Sequence, residues 1–381
     1  MCSDPLTPYG NRPMVTPIVN AVNYEYASFD VLRQITDGEM DGYTYHRDDN
    51  PTVRNVEETL ALMENAEDCI VCTSGMAACT LVYLTYLSSG DHLILFHDIY
   101  GAHYKVSLIL ERMGIDITWL DADNSAGVQA HIRPETKMIL FETPSNPLCK
   151  VVDIAGIRKS AGRDDILICV DNTFATPYHT RPLELGADLV IHSATKGLGG
   201  HNDLMAGAIA TSKEHYNNLW FTRQAIGTTL DAYSASLLER GLKTFELRAE
   251  KMAGNALAIA QHFEGHPKLS RLFYPGLPSH PEHEIAARQM QHGFGGMMSF
   301  DVGENQEDAK KFICSLKRIY HAVSLGSTES LICIPHLTTM LYLPEERRAV
   351  FGVRPNTVRL SVGIESPDVL IRDIRQALAN L

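Results

Sequence analysis

No apolar run in this 381-residue chain reaches the ~18 residues that a helix needs to cross a bilayer, so no membrane-spanning helix is expected. Basic residues are in deficit. Lys and Arg number 33 against 46 Asp and Glu, for a net charge of -13, which leaves no cationic excess to neutralise nucleic-acid phosphates. The start, Met1-Cys2-Ser3-Asp4-Pro5, lacks the basic and apolar regions of a secretory leader, and a cytoplasmic protein is expected. Paired metal-ligand spacings are missing as well. The sixteen histidines give no pair at ligand spacing on a predicted helix. Of the eight cysteines, Cys69 and Cys72 are close, but three apart on a strand they face opposite sides. Buried, reduced thiols are expected. The glycines after Lys196 fit neither the dinucleotide GxGxxG nor a Walker loop.

What remains is an ordinary soluble composition, 45% hydrophobic and 21% charged, in a chain long enough for two lobes. Through the middle, short apolar runs alternate with amphipathic stretches. Strands are predicted over 69–73, 92–96, 115–119, 137–141, 166–170, 188–192 and 206–210, with helices such as 76–87 and 103–113 between them. That alternation predicts an α/β fold with a mostly parallel sheet, and ligands at the carboxyl ends of its strands. Residues 1–60 read as an irregular arm ending in a helix, and 61–245 as the large lobe. Residues 246–381, with longer helices and strands at 297–302 and 357–362, read as a smaller α+β lobe.

The most informative stretch is Ser193-Ala194-Thr195-Lys196-Gly197-Leu198-Gly199-Gly200-His201, just past a buried strand. A lysine near a core is seldom kept without a partner, and the economical explanation is a Schiff base with an aldehyde cofactor. Asp171 ends the preceding strand; it is either a turn carboxylate or a partner for a pyridine nitrogen. Ser74 and Gly75, with Met76, form a capped strand-to-helix turn that also suits a phosphate. Ser193 and Thr195, at alternate positions, could add donors to the same phosphate. Tyr100 follows a strand and can stack on a flat ring or pack as an ordinary tyrosine. Asn146 could bond a ring hydroxyl or simply make an Asn-Pro turn. Arg359, inside the apolar run Thr357-Val358-Arg359-Leu360-Ser361-Val362, suits a substrate carboxylate or an internal salt bridge equally.

Together with Tyr45-His46-Arg47-Asp48-Asp49-Asn50-Pro51-Thr52, Tyr274-Pro275-Gly276-Leu277-Pro278 and Arg359-Leu360-Ser361-Val362-Gly363-Ile364-Glu365, these segments resemble the cysteine/methionine-metabolism family of pyridoxal-phosphate (PLP) enzymes across nearly the whole chain. The resemblance implies the type I PLP fold, with a seven-stranded sheet and usually a homotetramer of two catalytic dimers. It implies PLP as cofactor, Lys196 as the Schiff-base lysine and proton carrier, and Asp171 as partner of the pyridine nitrogen. Tyr100 would stack on the ring and act as acid, and Asn146 would approach the ring 3-hydroxyl. Gly75, Met76, Ser193 and Thr195 would hold the phosphate, joined by Tyr45 and Arg47 from the neighbouring subunit. Arg359, with the backbone around Ser324, would bind the substrate α-carboxylate.

Departures from the family pattern bear on the substrate. Cystathionine-handling γ-enzymes typically carry a glutamate where this chain has Val323, before Ser324-Leu325-Gly326. Methionine γ-lyases have an apolar residue there, but also a cysteine where this chain has Ala102. Lys105 stands where cystathionine enzymes often have arginine, leaving a cation for a distal acid. Thr44, Asp49, Ser327 and Met340 are further departures. The reading is a C–S lyase that removes a γ-substituent from a methionine-like or cystathionine-like amino acid, giving a 2-oxo acid, ammonia and a thiol. The alternatives are a γ-replacement transferase, such as a cystathionine γ-synthase or an O-acylhomoserine sulfhydrylase, and a non-catalytic assembly subunit of the same fold.

Overall fold

A computed structural model of the protein describes residues 13–341 and 343–381; the first twelve residues of the expected arm lie outside the described residues. Seven strands form the first sheet: β1 (Asp68–Cys72), β2 (His92–Phe96), β3 (Asp116–Leu120), β4 (Thr136–Glu142), β5 (Leu167–Asp171), β6 (Leu189–His192) and β7 (Gly207–Thr211). Their order is β1-β7-β6-β5-β4-β2-β3, parallel except that β7 runs against both its neighbours. The mostly parallel seven-stranded α/β sheet is therefore as expected.

Strand residues alternate between two apolar cores. Cys69, Val71, Ile139, Ile168 and Val190 lie in one, under the helix Pro51–Glu64. Ile70, Cys72, Leu140, Cys169 and Ile191 lie in the other, under the helix Gly75–Tyr86. Cys69 and Cys72 thus point to opposite faces as free thiols. A fully buried Leu or Ile contributes about 1.5–3 kcal/mol, so covering both faces makes continuous apolar strands the stable choice. The edge strand β3 is only partly covered.

A second sheet has the order β10-β11-β12-β9-β8, built from β8 (Leu269–Phe273), β9 (Met297–Val302), β10 (Tyr320–His321), β11 (Leu331–Cys333) and β12 (Thr357–Ser361). It has its own core, including Met298, Phe300, Ile332 and Leu360. The helix Phe245–Phe263 serves both: Phe245 and Ala249 pack into the first sheet's core, Ala256 and Ile259 into the second's.

Predicted strand ends fall within one or two residues of the observed ones. The small shifts have consequences: β4 reaches Glu142 and β5 reaches Asp171, so both carboxylates end core strands in register with each other. In the arm, Ser28 caps a short helix, Phe29–Thr36, that buries no residue within the single chain. The helices Lys213–Ile226 and Ala232–Leu242 were not anticipated from the pattern. No described helix is long and apolar enough to cross a membrane.

Candidate active site

Because β1, β2, β4, β5 and β6 share a direction, their carboxyl ends meet along one edge of the sheet. The antiparallel β7 brings its amino end, with Met205 and Gly207, to that same edge. A cavity of about 390 Å³ lies there, closed on its far side by residues 323–325 and by Arg359 of β12.

The turn after β1 builds one end of the cavity. Ser74, in extended conformation, caps the helix Gly75–Tyr86 by accepting from the Ala77 N–H. The N–H groups of Gly75 and Met76 belong to the first turn, which has no intrahelical acceptor to offer them. Two glycines let the backbones close up. A Cβ on Gly75 would sit 2.8 Å from Ser193 Cβ, and one on Gly207 would sit 2.1 Å from the Ser74 carbonyl oxygen. Ser193 Oγ has no protein partner among the described residues, as a phosphate donor requires. Thr195 differs: its hydroxyl donates to the Ala206 carbonyl at 3.1 Å and accepts from the Ala206 N–H at 2.9 Å. Its single proton is committed, so Ser193 is the freer donor.

Asp171 forms the floor. Burial pushes its carboxyl up, against hydrogen bonds from Thr173, whose backbone N donates to Oδ1 at 3.0 Å, and an electrostatic contribution from His192. A buried carboxylate in that condition gains from a cation placed opposite it. Glu142, beside it, is also buried and driven well above the ordinary carboxyl range, chiefly by desolvation and then by Asp171. It accepts the Tyr100 N–H at 2.5 Å and the Asn146 N–H, and so fixes two site residues by their backbones. The Tyr100 ring is 41% exposed, on the cavity wall.

Lys196 leaves β6 and turns towards the second sheet. Its Nζ donates to Ser324 Oγ at 2.6 Å. Burial, then the positive charge of Arg359, lower its pKa from 10.5 to about 8. Arg359 is 2% exposed and makes no ion pair among the described residues, which removes the internal salt bridge as its explanation. It donates instead to Asn146 Oδ1 and to the Ser324 carbonyl, both at 3.0 Å, while its buried Nε has no partner. A guanidinium kept dry and uncompensated is a receptor for a carboxylate. With Asn146 Oδ1 so engaged, its amide nitrogen remains free to donate.

These residues fit PLP. A narrow cradle of amides and a hydroxyl suits the phosphate, a buried carboxylate suits the ring nitrogen, and a lysine with a depressed pKa suits the aldehyde. The structure brings Gly75, Met76, Tyr100, Asn146, Asp171, Ser193, Thr195, Lys196, Val323, Ser324 and Arg359 to one cavity. Lys105 is not brought there: it is exposed on the helix Ala102–Arg112. Tyr45 and Arg47 also stand off this chain's cavity, the Arg47 guanidinium 5.7 Å from the centre of the exposed Tyr45 ring. Glu142, Thr173, Cys79, Phe174, Met205 and Thr339 line the cavity without having been anticipated. Of these, only Glu142 left a trace in the sequence, as an acidic residue closing an apolar strand.

Comparison with known proteins agrees with this geometry. Residues 6–379 match the family described as Cys/Met metabolism PLP-dependent enzyme. The chain is 43% identical over 363 residues to a cystathionine gamma-lyase of Bacillus subtilis, covering 95% of each. It is also 43% identical over 343 residues to a cystathionine beta-lyase of Lactococcus lactis, covering 90% of each. Among solved structures it superposes with TM-score 0.89 and 35% identity on a cystathionine gamma synthase of Xanthomonas oryzae in complex with cystathionine, over 96% of this chain and 93% of that one.

Proposed function

The chain belongs to the Cys/Met metabolism family of PLP-dependent enzymes, and from that premise we propose that it is a C–S lyase releasing a thiol from a γ-substituted, methionine-like amino acid. The observation that carries this reading is the apolar part of the cavity lining. Phe174, Met205, Val323 and Leu325 form it, and the nearby cations Lys196 and Arg359 already face Ser324 and Asn146. Such a lining favours an uncharged thioether over a polar or charged distal group.

When bound, the cofactor supplies an electron sink for charge developing at Cα. The chain's own residues do the rest. Arg359, with its unpaired Nε, grips the α-carboxylate and sets which Cα bond faces the ring. Asp171 holds the proton on the ring nitrogen, and Glu142 keeps Tyr100 and Asn146 in place around the ring. Lys196 Nζ, once free, would take the proton from Cα, its low pKa leaving the neutral base available near neutral pH; it would pass that proton on to the cofactor's conjugated system and, neutral again, take one from Cβ. Tyr100 Oη gives a proton to the departing γ-sulfur. Water then completes the balance: amino acid plus water yields 2-oxo acid, ammonia and thiol.

Tyr45 and Arg47, exposed on this chain, are assigned to the phosphate of a second copy, so that active sites are shared in a homotetramer of two dimers. The γ-replacement reading is favoured by the likeness to a solved gamma synthase. One assay separates the two. The purified enzyme is incubated with methionine, cystathionine or O-succinylhomoserine, with and without added thiol. Oxo-acid release without thiol is expected. Thioether formation that requires thiol would replace the lyase by a transferase.

A further inference from the structure

Around Asp171 on the cavity floor lie buried polar side chains, Cys79, His103 and Tyr83, that the reaction above leaves unused. Cys79 Sγ, a ring nitrogen of His103 and a carboxylate oxygen of Asp171 all lie within 4.8 Å of one another, and all three residues are buried. His103 Nε2 is 3.6 Å from Cys79 Sγ, and Nδ1 is 2.7 Å from the hydroxyl of Tyr83, which is 1% exposed.

Hydrogen-bond accounting orients this chain of groups. Among the described residues, the Tyr83 hydroxyl has no hydrogen-bond partner but His103. A buried O–H must place its proton, so Tyr83 donates to Nδ1. Nδ1 is then bare and the ring proton sits on Nε2, facing Cys79 and Asp171. Burial lowers the His103 pKa to about 4, so the ring is neutral. Cys79 stays a thiol, since burial first and the Asp171 charge next push it well above its ordinary value. A metal site is disfavoured on the same grounds, because it would need the thiolate and a ring nitrogen freed of its proton. With Nε2–H directed at Sγ, the thiol proton is free of His103; Sγ and the Asp171 carboxylate oxygen make no hydrogen bond but lie within 4.8 Å, close enough for the dipole to act on the charge.

We propose that His103 is a positioning residue for Asp171: Tyr83 fixes its tautomer, so that its Nε2–H and the Cys79 thiol stand beside the Asp171 carboxylate and favour its anion, the form that would face the cofactor ring nitrogen. This rests on the PLP reading of Asp171 given above. The chain Tyr83–His103–Cys79 runs one way, each member donating to the next, and meets Asp171 through an electrostatic contact. It joins the helix Gly75–Tyr86, which opens the phosphate cradle, to the helix Ala102–Arg112, which follows the stacking Tyr100.

The test uses the full-length enzyme reconstituted with PLP, comparing the wild type with His103→Leu, His103→Gln and Tyr83→Phe. Folding is checked by circular dichroism. The readouts are the PLP dissociation constant and the absorbance spectrum of the bound cofactor, which reports the protonation of the ring system. His103→Leu is expected to weaken PLP binding roughly 2- to 10-fold, the scale of one ordinary lost hydrogen bond, and to shift the spectrum. His103→Gln, which keeps an N–H donor, should recover most of both effects, and Tyr83→Phe should shift the spectrum the same way by less. An unchanged spectrum and affinity in His103→Leu would overturn the proposal. So would a Gln variant as impaired as Leu, since that marks a packing role. Borohydride fixation of PLP to Lys196 in the wild type tests the underlying reading separately: if the wild type binds no PLP, it is that reading that fails.

Discussion

Lys196 Nζ donates a 2.6 Å hydrogen bond to the hydroxyl of Ser324, a residue held at φ +83° with its carbonyl gripped by Arg359. The lysine of the first sheet and the arginine of the second therefore meet on one strained serine. Positive φ is uncommon for a residue with a side chain, and such strain gathers where the surrounding structure over-determines a site. Ser324→Ala and Ser324→Gly separate hydroxyl from backbone. Both lose the lysine contact, and turnover is expected to fall roughly 2- to 10-fold, the worth of one hydrogen bond. Only the glycine variant relieves the backbone, so it should melt higher than the alanine variant. Equal melting temperatures would argue against strain at this position.

The depressed lysine gives a pH signature. Only the neutral amine attacks an aldehyde, so attachment of added PLP to the cofactor-free protein should slow as pH falls below about 8. Stopped-flow absorbance against pH checks this. Arg359→Leu removes the second cause of the depression and should move the limb to higher pH, by less than the full shift because burial remains. The stability sign follows. Between about 8 and 10.5 the unfolded chain binds the proton that the folded lysine has lost, so the cofactor-free protein should gain stability as pH rises through that window. A flat melting temperature across it would contradict the burial of Nζ.

Arg359→Lys should fail despite keeping the charge. Lysine cannot make the two-pronged contact that the unpaired Nε and its neighbouring nitrogen offer a carboxylate. Losing one charge-assisted bond is worth about 1.5–3 kcal/mol, or a fall of roughly 10- to 100-fold in kcat/KM. Because the carboxylate is held in ground state and transition state alike, the loss should appear mostly in KM. A variant with wild-type KM would remove Arg359 from substrate binding.

Much of this site was legible in the sequence, for physical reasons that also mark the limit. Lys196, Asp171 and Arg359 are charged residues at or inside apolar strands, and that expense is visible without coordinates. Ser74, Gly75 and Met76 show as a capped turn. Glu142 was missed because one acidic residue at a strand end looks like any other until Tyr100 and Asn146 are seen donating to it. His103 and Cys79 were missed because their meeting with Asp171 depends on two helices stacking over one strand end. Lys105 differs: it follows Tyr100 by five residues, but its side chain is exposed on the helix Ala102–Arg112 and not among the residues lining this chain's cavity. Sequence distance from Tyr100 could not reveal that direction.

Glu142→Gln tests the tie between Tyr100 and Asn146. The carboxylate takes both backbone N–H groups, whereas the amide offers one oxygen and brings an N–H₂ against one of them. An unsatisfied buried donor costs about 1–3 kcal/mol, enough to loosen the loop that carries the Tyr100 ring. Lower thermal stability and weaker PLP retention on dialysis are expected together. Retention equal to wild type would mean that Tyr100 is held by its own packing.

Val323 is the position where substrate choice is most open to change. It is 56% exposed at the mouth of the cavity, next to the serine that holds Lys196. A glutamate there, as in relatives that handle cystathionine, would face the distal ammonium of that substrate while setting a charge beside an apolar thioether. At a half-exposed position such an ion pair is worth about 0.2–1 kcal/mol, so Val323→Glu should raise kcat/KM for cystathionine relative to methionine roughly 2- to 5-fold. Part of that change should come from a loss on methionine, because specificity gained by a charge acts against the apolar competitor as well. Competition assays with both amino acids in one tube measure the ratio directly. A ratio that does not move would place the discriminating contact elsewhere in the lining, at Phe174, Met205 or Leu325.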